Sequence, residues 1–322
     1  MKNRLAFAAV ALIAAACDSG ETTLVRREPP AAFEPEPAAD PTVASDDADA
    51  PLPGRTDGCP DNMVRVEGDY CPAVMQTCLE HHPEWEQRQG EPGVAERCLR
   101  YKDPSTCVSK KRVPMSFCMD RYEYPGVPGQ KPQVLTSWVQ AKKLCEDQGK
   151  RLCTEPEFHF ACEGPDMLPY VYGYDRDATI CNQDKDYRMP DHSRVLFHYD
   201  KCLEDPWCKA ELERLDQREP IGQRKTCVSW AGVYDLNGNA NEWVTRPGEK
   251  APHRNGLKGG WWGPIRSRCR AVTTFHPDDD YGYEVGFRCC SDPAGTSASA
   301  AAAASARAAE ASREAEAAEQ PQ

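Results

Sequence analysis

The sequence predicts an α+β domain in which short strands and long loops are cross-linked by disulfides. Capping signals at Ser137 and Thr154 begin two consecutive helices, whereas elsewhere glycine, proline and short apolar runs indicate short strands and loops. Sixteen of the 17 cysteines lie between Cys59 and Cys290, an even number that is compatible with eight disulfides in an oxidising compartment. Long loops in a compact domain usually need such cross-links.

The first 16 residues have the pattern of a secretory signal peptide. A positively charged start is followed by an apolar run, Leu5 to Ala16, that is too short to span a membrane. The run ends in Ala14-Ala15-Ala16-Cys17, which resembles a bacterial lipobox. We therefore expect an exported protein, anchored in a lipid membrane through Cys17 on the periplasmic or outer face of the cell envelope. The alternative is cleavage after Ala16, which leaves a secreted protein with one free thiol.

Charge and composition divide the rest of the chain into three parts. Residues 17–57 are rich in Pro and Ala and carry ten acids against three bases, which predicts a disordered acidic linker. Residues 58–290 carry 36 acids and 32 bases, a net charge of −4, and form one domain. A near-neutral domain without a basic stripe excludes nucleic-acid partners. Residues 291–322 are a low-complexity Ala/Glu-rich tail, in which we expect a solvated helix.

Three helices can be placed inside the domain from local signals. Ser137 and Gln140 form a capping box, and Thr154 and Glu157 form another. A third helix begins at Asp205-Pro206. The side chains expected to face inward are Trp138, Ala141, Leu144, Cys145, Phe158, Ala161, Cys162, Cys208, Leu212 and Leu215.

Four motifs in a fixed order identify the domain more closely. They are Gly149-Lys-Arg-Leu-Cys-Thr-Glu-Pro-Glu157, Val233-Tyr-Asp-Leu-Asn-Gly-Asn-Ala-Asn-Glu-Trp243, Lys258-Gly-Gly260 and Gly286-Phe-Arg-Cys289. Taken together they resemble the formylglycine-generating enzymes, also called sulfatase-modifying factors, over roughly Met63 to Cys290. The resemblance implies that family's irregular C-type-lectin-like fold, which has little regular secondary structure and a shallow surface groove.

The resemblance also implies two disulfides, Cys145 with Cys289 and Cys162 with Cys269. Cys153, which stands where the family has proline, is placed by hypothesis with the extra Cys290. Eight of the remaining ten domain cysteines fall in two groups that staple insertions, with pairings that the sequence leaves open. The first insertion carries Cys71, Cys78, Cys98 and Cys107, and the second carries Cys181, Cys202, Cys208 and Cys227.

The segment from Asp235 to Glu242 matches a calcium loop of the family. By resemblance, the ligands are the Asp235 and Glu242 carboxylates and the Gly238 and Ala240 carbonyls, oxygen donors of the kind that calcium prefers. Asn182 is assigned to a second calcium site, with either Asp184 or Asp186 as its acidic partner. The alternative for Asp235-Leu-Asn-Gly238 is a plain turn with Gly238 at positive φ.

The family's copper site is not matched. Its active members bind copper(I) through two cysteines, four and nine residues after the second glycine of the Gly-Gly pair. Here these positions are Pro264 and Cys269. Counted back from Cys289, Cys269 is instead the structural cysteine, so it is only a weak catalytic candidate and copper is not expected. Five histidines are interpreted as surface or core residues: His159, His192, His198, His253 and His276.

Two functions from different classes remain. The first is a non-catalytic binding or structural module on the cell envelope, with an unknown peptide, protein or sugar ligand. In it, Trp261, Trp262, Phe275 and Tyr281 line a groove, although buried aromatics are the simpler interpretation. The second is a metal-dependent oxidase of the formylglycine-generating type that acts on a peptide cysteine through a rearranged site.

Overall fold

A computed structural model of the chain describes residues 58–89, 91, 94, 96–191, 202–296, 303 and 306–313. The predicted signal peptide, Cys17, the linker of residues 17–57, and both His192 and His198 lie outside the described residues. None of the helices in the described ranges is both long and apolar enough to cross a membrane.

The strands of the domain are short, as the sequence predicts, and none in the described residues exceeds eight residues. They are β1 (Met63–Tyr70), β2 (Val74–Met75), β3 (Cys78–His81), β4 (Cys98–Tyr101), β5 (Thr106–Cys107), β6 (Val113–Asp120), β7 (Arg151–Leu152), β8 (Asn241–Thr245), β9 (Asn255–Lys258), β10 (Val285–Phe287) and β11 (Cys289–Ser291).

The larger sheet joins the two ends of the domain. Its order is β1-β6-β11-β7, and each neighbouring pair is antiparallel. Met63 lies opposite Asp120 at one end of the β1–β6 pair. The short strand β11 sets Cys290 against Met119 of β6 and Cys289 against Leu152 of β7. The last strand of the domain is therefore enclosed between segments that precede it by more than 100 residues.

A second sheet, of order β10-β8-β9, gathers the sequence motifs. Strand β10 runs parallel to β8, and β9 runs antiparallel to it. Glu242 of β8 lies opposite Gly286 on one side and Lys258 on the other. Three of the four motifs thus meet on one sheet, although they are scattered over residues 233–289 of the chain.

The three predicted helices begin where their capping signals indicate, and the structure adds one short helix, Pro83–Arg88, that was not predicted. They are α1 (Pro83–Arg88), α2 (Trp138–Glu146), α3 (Glu155–Glu163) and α4 (Pro206–Leu215). The Ser137 Oγ accepts from the Gln140 N–H at 3.2 Å, and Gln140 Oε1 accepts from the Ser137 N–H at 2.9 Å. Asp205 caps α4 by accepting the N–H groups of Trp207 and Cys208, both at 2.9 Å. The capping boxes are confirmed because they depend only on residues three apart.

All sixteen cysteines from Cys59 to Cys290 form disulfides. Cys145 pairs with Cys289, and Cys162 pairs with Cys269, the pairs that the family resemblance implies. Cys153 pairs with Cys290, as hypothesised. The other pairs are Cys59–Cys118, Cys71–Cys107, Cys78–Cys98, Cys181–Cys227 and Cys202–Cys208. In the entropic model, each link that closes a loop of over 100 residues constrains the unfolded chain by about 4 to 5 kcal/mol.

The described part of the tail does not behave as a solvated helix. Residues 306–313 are helical, and Ala308 and Ala309 are buried against the domain. The Ser312 Oγ lies 3.3 Å from the Tyr70 hydroxyl, and the Arg313 guanidinium donates to the Pro247 carbonyl. The expectation of a solvated helix was wrong because alanine methyls let the helix backbone approach closely, while polar contacts from Ser312 and Arg313 fix its position.

Candidate functional site

The predicted calcium loop is tightly enclosed by its neighbours. Asp235 and Gly238 both adopt positive φ, +60° and +80°. A Cβ on Gly238 would lie 2.2 Å from the Asn182 carbonyl oxygen, so only glycine fits there. The Gly238 N–H donates to the Gly259 carbonyl at 3.0 Å. The loop therefore links the Asn182 segment to the Gly-Gly turn that follows β9.

The acidic side chains of this loop already have protein partners. Both oxygens of Glu242 accept from Arg288, its Nε and Nη2, each at 2.6 Å, and both side chains are 1% exposed. The Oδ2 of Asp235 accepts the Gly222 N–H at 2.8 Å. A cation bound through Glu242 would have to displace the guanidinium. As arranged here, the Glu242 carboxylate is occupied by Arg288, which places a positive charge beside the loop. The assignment of calcium to this loop stays a prediction.

Burial dominates the electrostatics of this acidic cluster. It raises the pKa of Asp235 to about 6, against the Gly222 hydrogen bond and the Arg288 charge, which lower it. It also raises the pKa of Glu242, which Arg288 opposes. Glu123 is a third acid, which neither the motifs nor the spacing indicated. Its carboxylate accepts from the Asn239 side chain at 2.6 Å and the Ala240 N–H at 3.1 Å.

The second predicted calcium site is not brought together. The Nδ2 of Asn182 donates to Asn239 Oδ1 at 2.9 Å, and its buried Oδ1 has no partner among the described residues. Asp184 is turned away in a bidentate pair with Arg176, at 2.7 and 2.8 Å. Asp186 is exposed. Across the described part of the chain, no three His, Cys, Asp or Glu side chains are arranged to hold a metal ion.

The Gly-Gly turn buries the two tryptophans that we expected to line a groove. Trp262 is 0% exposed and Trp261 is 9% exposed. A Cβ on Gly260 would lie 2.7 Å from the Ser267 Cβ, so the chain folds back closely after the turn. The Trp262 ring packs edge-on against Trp261, with ring centroids 5.2 Å apart. Packing in the core therefore buries both rings, and they do not line a groove. Of the four aromatics, Phe275 is 73% exposed, and Tyr281 is half-buried.

The position of the copper site holds no thiol pair. Cys269, the weak catalytic candidate, is fully buried and bonded to Cys162. Pro264 occupies the other position. Because every described cysteine is in a disulfide, the described residues offer no thiolate ligand for copper(I).

A cavity of about 380 Å³ lies elsewhere, and sequence reasoning did not find it. Residues 72–76, the start of α3, residues 246–249, residues 268–272 and the tail helix surround it. Its charged wall consists of four arginines and two glutamates: Arg246, Arg268, Arg270, Arg313, Glu155 and Glu249. In the sequence, the only hint of this charged wall was the pair of arginines on either side of Cys269. The tail helix completes the wall, and its docking could not be predicted because it has no apolar stripe.

One histidine lines this cavity and contacts a buried tyrosine behind it. The histidine is His159, and its Nδ1 lies 3.1 Å from the Tyr70 hydroxyl. Burial, followed by the nearby Lys258 charge, holds the pKa of His159 well below its ordinary value, so the ring is neutral at neutral pH. Burial also lowers the pKa of Lys258 to about 7. The Lys258 Nζ donates to the Ala271 carbonyl at 2.7 Å.

Comparison with known proteins agrees with the motifs. Residues 105–293 match a family model described as the sulfatase-modifying factor enzyme 1-like domain. Among solved structures, the chain is similar to PvdO from Pseudomonas aeruginosa, at 18% identity and a TM-score of 0.42, over 71% of this chain and 94% of that one.

Two further structures are similar to the chain. CarF is 14% identical with a TM-score of 0.41, over 71% of this chain and 97% of that one. Treponema denticola variable protein 1 is 12% identical with a TM-score of 0.37, over 71% of this chain and 99% of that one. These TM-scores are all below 0.5, so the family assignment rests on the family model, which matches more than half of the chain. The chain belongs to the family of the sulfatase-modifying factor enzyme 1-like domain.

Proposed function

We propose that this chain is a non-catalytic binding module of the sulfatase-modifying factor family. The observation that carries the proposal is the disulfide between Cys162 and Cys269, with Cys269 fully buried. A copper(I) site of the family's kind needs two thiolates, and a cysteine in a disulfide offers none. The fold is kept while the donors that the reaction needs are absent from the described residues.

The site that such a module would use is the cavity beside the tail helix. Small-ligand sites are usually clefts of about 300 to 1,000 Å³ in which a few placed polar groups orient the ligand. This one has a volume of about 380 Å³ and converging side chains from α3, the segment after Cys269 and the tail helix. The buried Trp261 and Trp262 do not offer a comparable surface.

We further propose that the domain is held on the cell envelope by lipid at Cys17. Eight disulfides indicate a domain that folds in an oxidising, extracytoplasmic compartment. The lipobox-like Ala14-Ala15-Ala16-Cys17 and the acidic linker that follows support a tether between membrane and domain.

A thiol count combined with a copper(I) titration tests the non-catalytic assignment. The exported full-length protein is unfolded without reductant and treated with a thiol reagent, and the folded protein is titrated with copper(I) against a competing chelator. We expect no thiol from the sixteen domain cysteines and no stoichiometric copper binding. Cys162→Ala, which frees the Cys269 thiol, is the positive control for detection. Two reactive domain thiols together with one tightly bound copper(I) would establish the oxidase instead.

A further inference from the structure

The charges of the cavity wall are unevenly compensated. Arg270 is neutralised by Glu163, in a bidentate pair with distances of 2.7 and 2.6 Å. Arg246 pairs with Glu155 at 2.9 Å. Arg268 is different. It lies 3.9 Å from Glu96, and its guanidinium makes no hydrogen bond to any described residue. Arg313, which lies 3.9 Å from Glu249, donates to the Pro247 carbonyl.

A second polar group of the cavity is left without a partner. The Nε2 of His159 is buried and makes no hydrogen bond to any described residue. Its nearest carboxylate oxygen, Glu155 Oε1, lies 3.8 Å away, which is beyond hydrogen-bonding distance. His159 is 6% exposed, so its ring can be reached only from the cavity that it lines. A buried polar atom in this state costs free energy unless something in the cavity satisfies it.

The neighbours of His159 allow Nε2 to act as a donor. The Ser312 hydroxyl donates to the Ala308 carbonyl at 3.0 Å, so the single Tyr70 hydroxyl hydrogen has two acceptors, His159 Nδ1 at 3.1 Å and Ser312 Oγ at 3.3 Å. When Tyr70 donates to the closer of the two, His159 Nδ1 is the acceptor nitrogen of the ring. In that tautomer the hydrogen of the neutral ring is on Nε2. The cavity then contains one guanidinium without a hydrogen bond, that of Arg268, and one neutral N–H donor.

We propose that this cavity binds a small ligand through a carboxylate group, with Arg268 and His159 as the residues that contact it, an inference that rests on the binding role proposed above. A carboxylate carries one negative charge and two oxygens, which matches one cation and one donor. A doubly charged phosphate would leave a charge uncompensated close to Glu155. This cavity and the Gly-Gly turn lie at opposite ends of β8. The cavity follows the Thr245 end of the strand, and the turn contacts the loop that precedes the Asn241 end.

Titration of the full-length protein with acetyl-Ala-Ala and with its C-terminal amide tests the proposal. The two probes differ only in the charged group. We expect saturable binding of the acid, and binding of the amide that is at least tenfold weaker. Arg268→Gln should weaken binding of the acid at least tenfold, whereas Arg266→Gln, an exposed neighbour two residues away, should change it less than twofold.

A ring-nitrogen NMR measurement on histidine-labelled protein gives a readout that does not depend on a variant. The His159 Nε2 resonance should shift when the acid is added and stay in place when the amide is added. Equal binding of acid and amide, an unshifted resonance, or phosphate binding as tight as that of the acid would overturn the proposal. Absence of binding together with zero domain thiols would refute only this ligand assignment, whereas copper binding would refute the non-catalytic role.

Discussion

Arg288 and Glu242 form a bidentate ion pair at the centre of the sheet that carries the family motifs, with both contacts at 2.6 Å. A third donor of Arg288 reaches the Tyr234 carbonyl at 2.9 Å, just before the Asp235 loop. The arginine therefore ties the end of the domain to the loop in which we predicted a calcium site.

Replacing Arg288 should destabilise the domain strongly. Arg288→Gln leaves Glu242 buried without its partner, and breaking a buried pair in this way costs about 3 to 5 kcal/mol. Urea unfolding measures the change, with the exposed Arg266→Gln as the control, which should stay within about 0.5 kcal/mol of the parent. A loss below about 1 kcal/mol for Arg288→Gln would show that the pair does not hold the loop.

Calcium should not stabilise the parent protein. Both Glu242 oxygens are taken by Arg288, so we expect the same melting temperature in calcium as in EDTA. A ligand at 100 times its Kd would add about 2.7 kcal/mol of stability, which a thermal melt detects easily. A melting temperature that rises with calcium and falls again with chelator would mean that an ion displaces the arginine, and the family's calcium assignment would then stand.

A disulfide that closes a long loop should stabilise the domain more than one that closes a short loop. Cys162–Cys269 spans 107 residues and Cys202–Cys208 spans six. The entropic model gives about 5 kcal/mol for the first and about 2 kcal/mol for the second. Urea unfolding of the two double Cys→Ala variants compares them. Equal losses would show that packing, and not chain entropy, dominates.

The local parts of this fold were predictable, and the distant parts were not. Ser137 with Gln140 and Thr154 with Glu157 define helix starts through contacts three residues apart. The Cys145–Cys289 link came from resemblance alone, since no local signal connects residues 144 apart in sequence. The pairings of the inserted cysteines depend on how the β2–β5 and β3–β4 ribbons fold, which composition does not determine.

In the candidate site too, local features were predictable and contacts between distant residues were not. The motifs located Asp235 and Glu242, but the partner that satisfies Glu242 is 46 residues away and emerged only with the β8–β10 pairing. For the aromatic residues after the Gly-Gly pair, burial was the simpler interpretation, and the structure confirms it for Trp261 and Trp262. His159 was visible in a helix, yet its role in a cavity depends on Tyr70 and on the docking of the tail helix, two segments far from it in sequence.

Protonation of Glu284 should make the stability of the domain depend on pH. Its buried Oε2 has no partner in the described structure, and burial raises its pKa to about 7, with a smaller contribution from the Asp280 charge. The folded protein therefore holds a proton that the unfolded chain releases above about pH 4.5. Stability contributed by this group is complete below that pH and is lost as the pH rises through 7.

Glu284→Gln should remove this dependence. We expect the variant to be the more stable protein at pH 8, by on the order of 2 kcal/mol, and to lose less stability than the parent between pH 5 and 8. Urea unfolding at several pH values measures both. Glu146→Gln, on the exposed face of α2, should follow the parent. Identical slopes for Glu284→Gln and the parent would contradict the assignment.

The docking of the tail helix can be tested by charge insertion. Ala308 is buried and Ala306 is exposed, so a glutamate is tolerated only at the second position. Ala308→Glu should release the helix and make the chain near Arg307 a faster site of limited trypsin cleavage. Ala306→Glu should be cleaved at the parent rate. Equal cleavage of the two variants would show that the helix is not docked.

The central claim is that the family scaffold is kept while its catalytic thiol pair is absent, and non-reducing peptide mapping tests it most directly. Exported protein is alkylated while unfolded and unreduced, digested, and analysed by mass spectrometry. We predict a linked peptide that contains Cys162 and Cys269, and no alkylated Cys269. An alkylated Cys269 in the exported protein would contradict the claim and favour the oxidase.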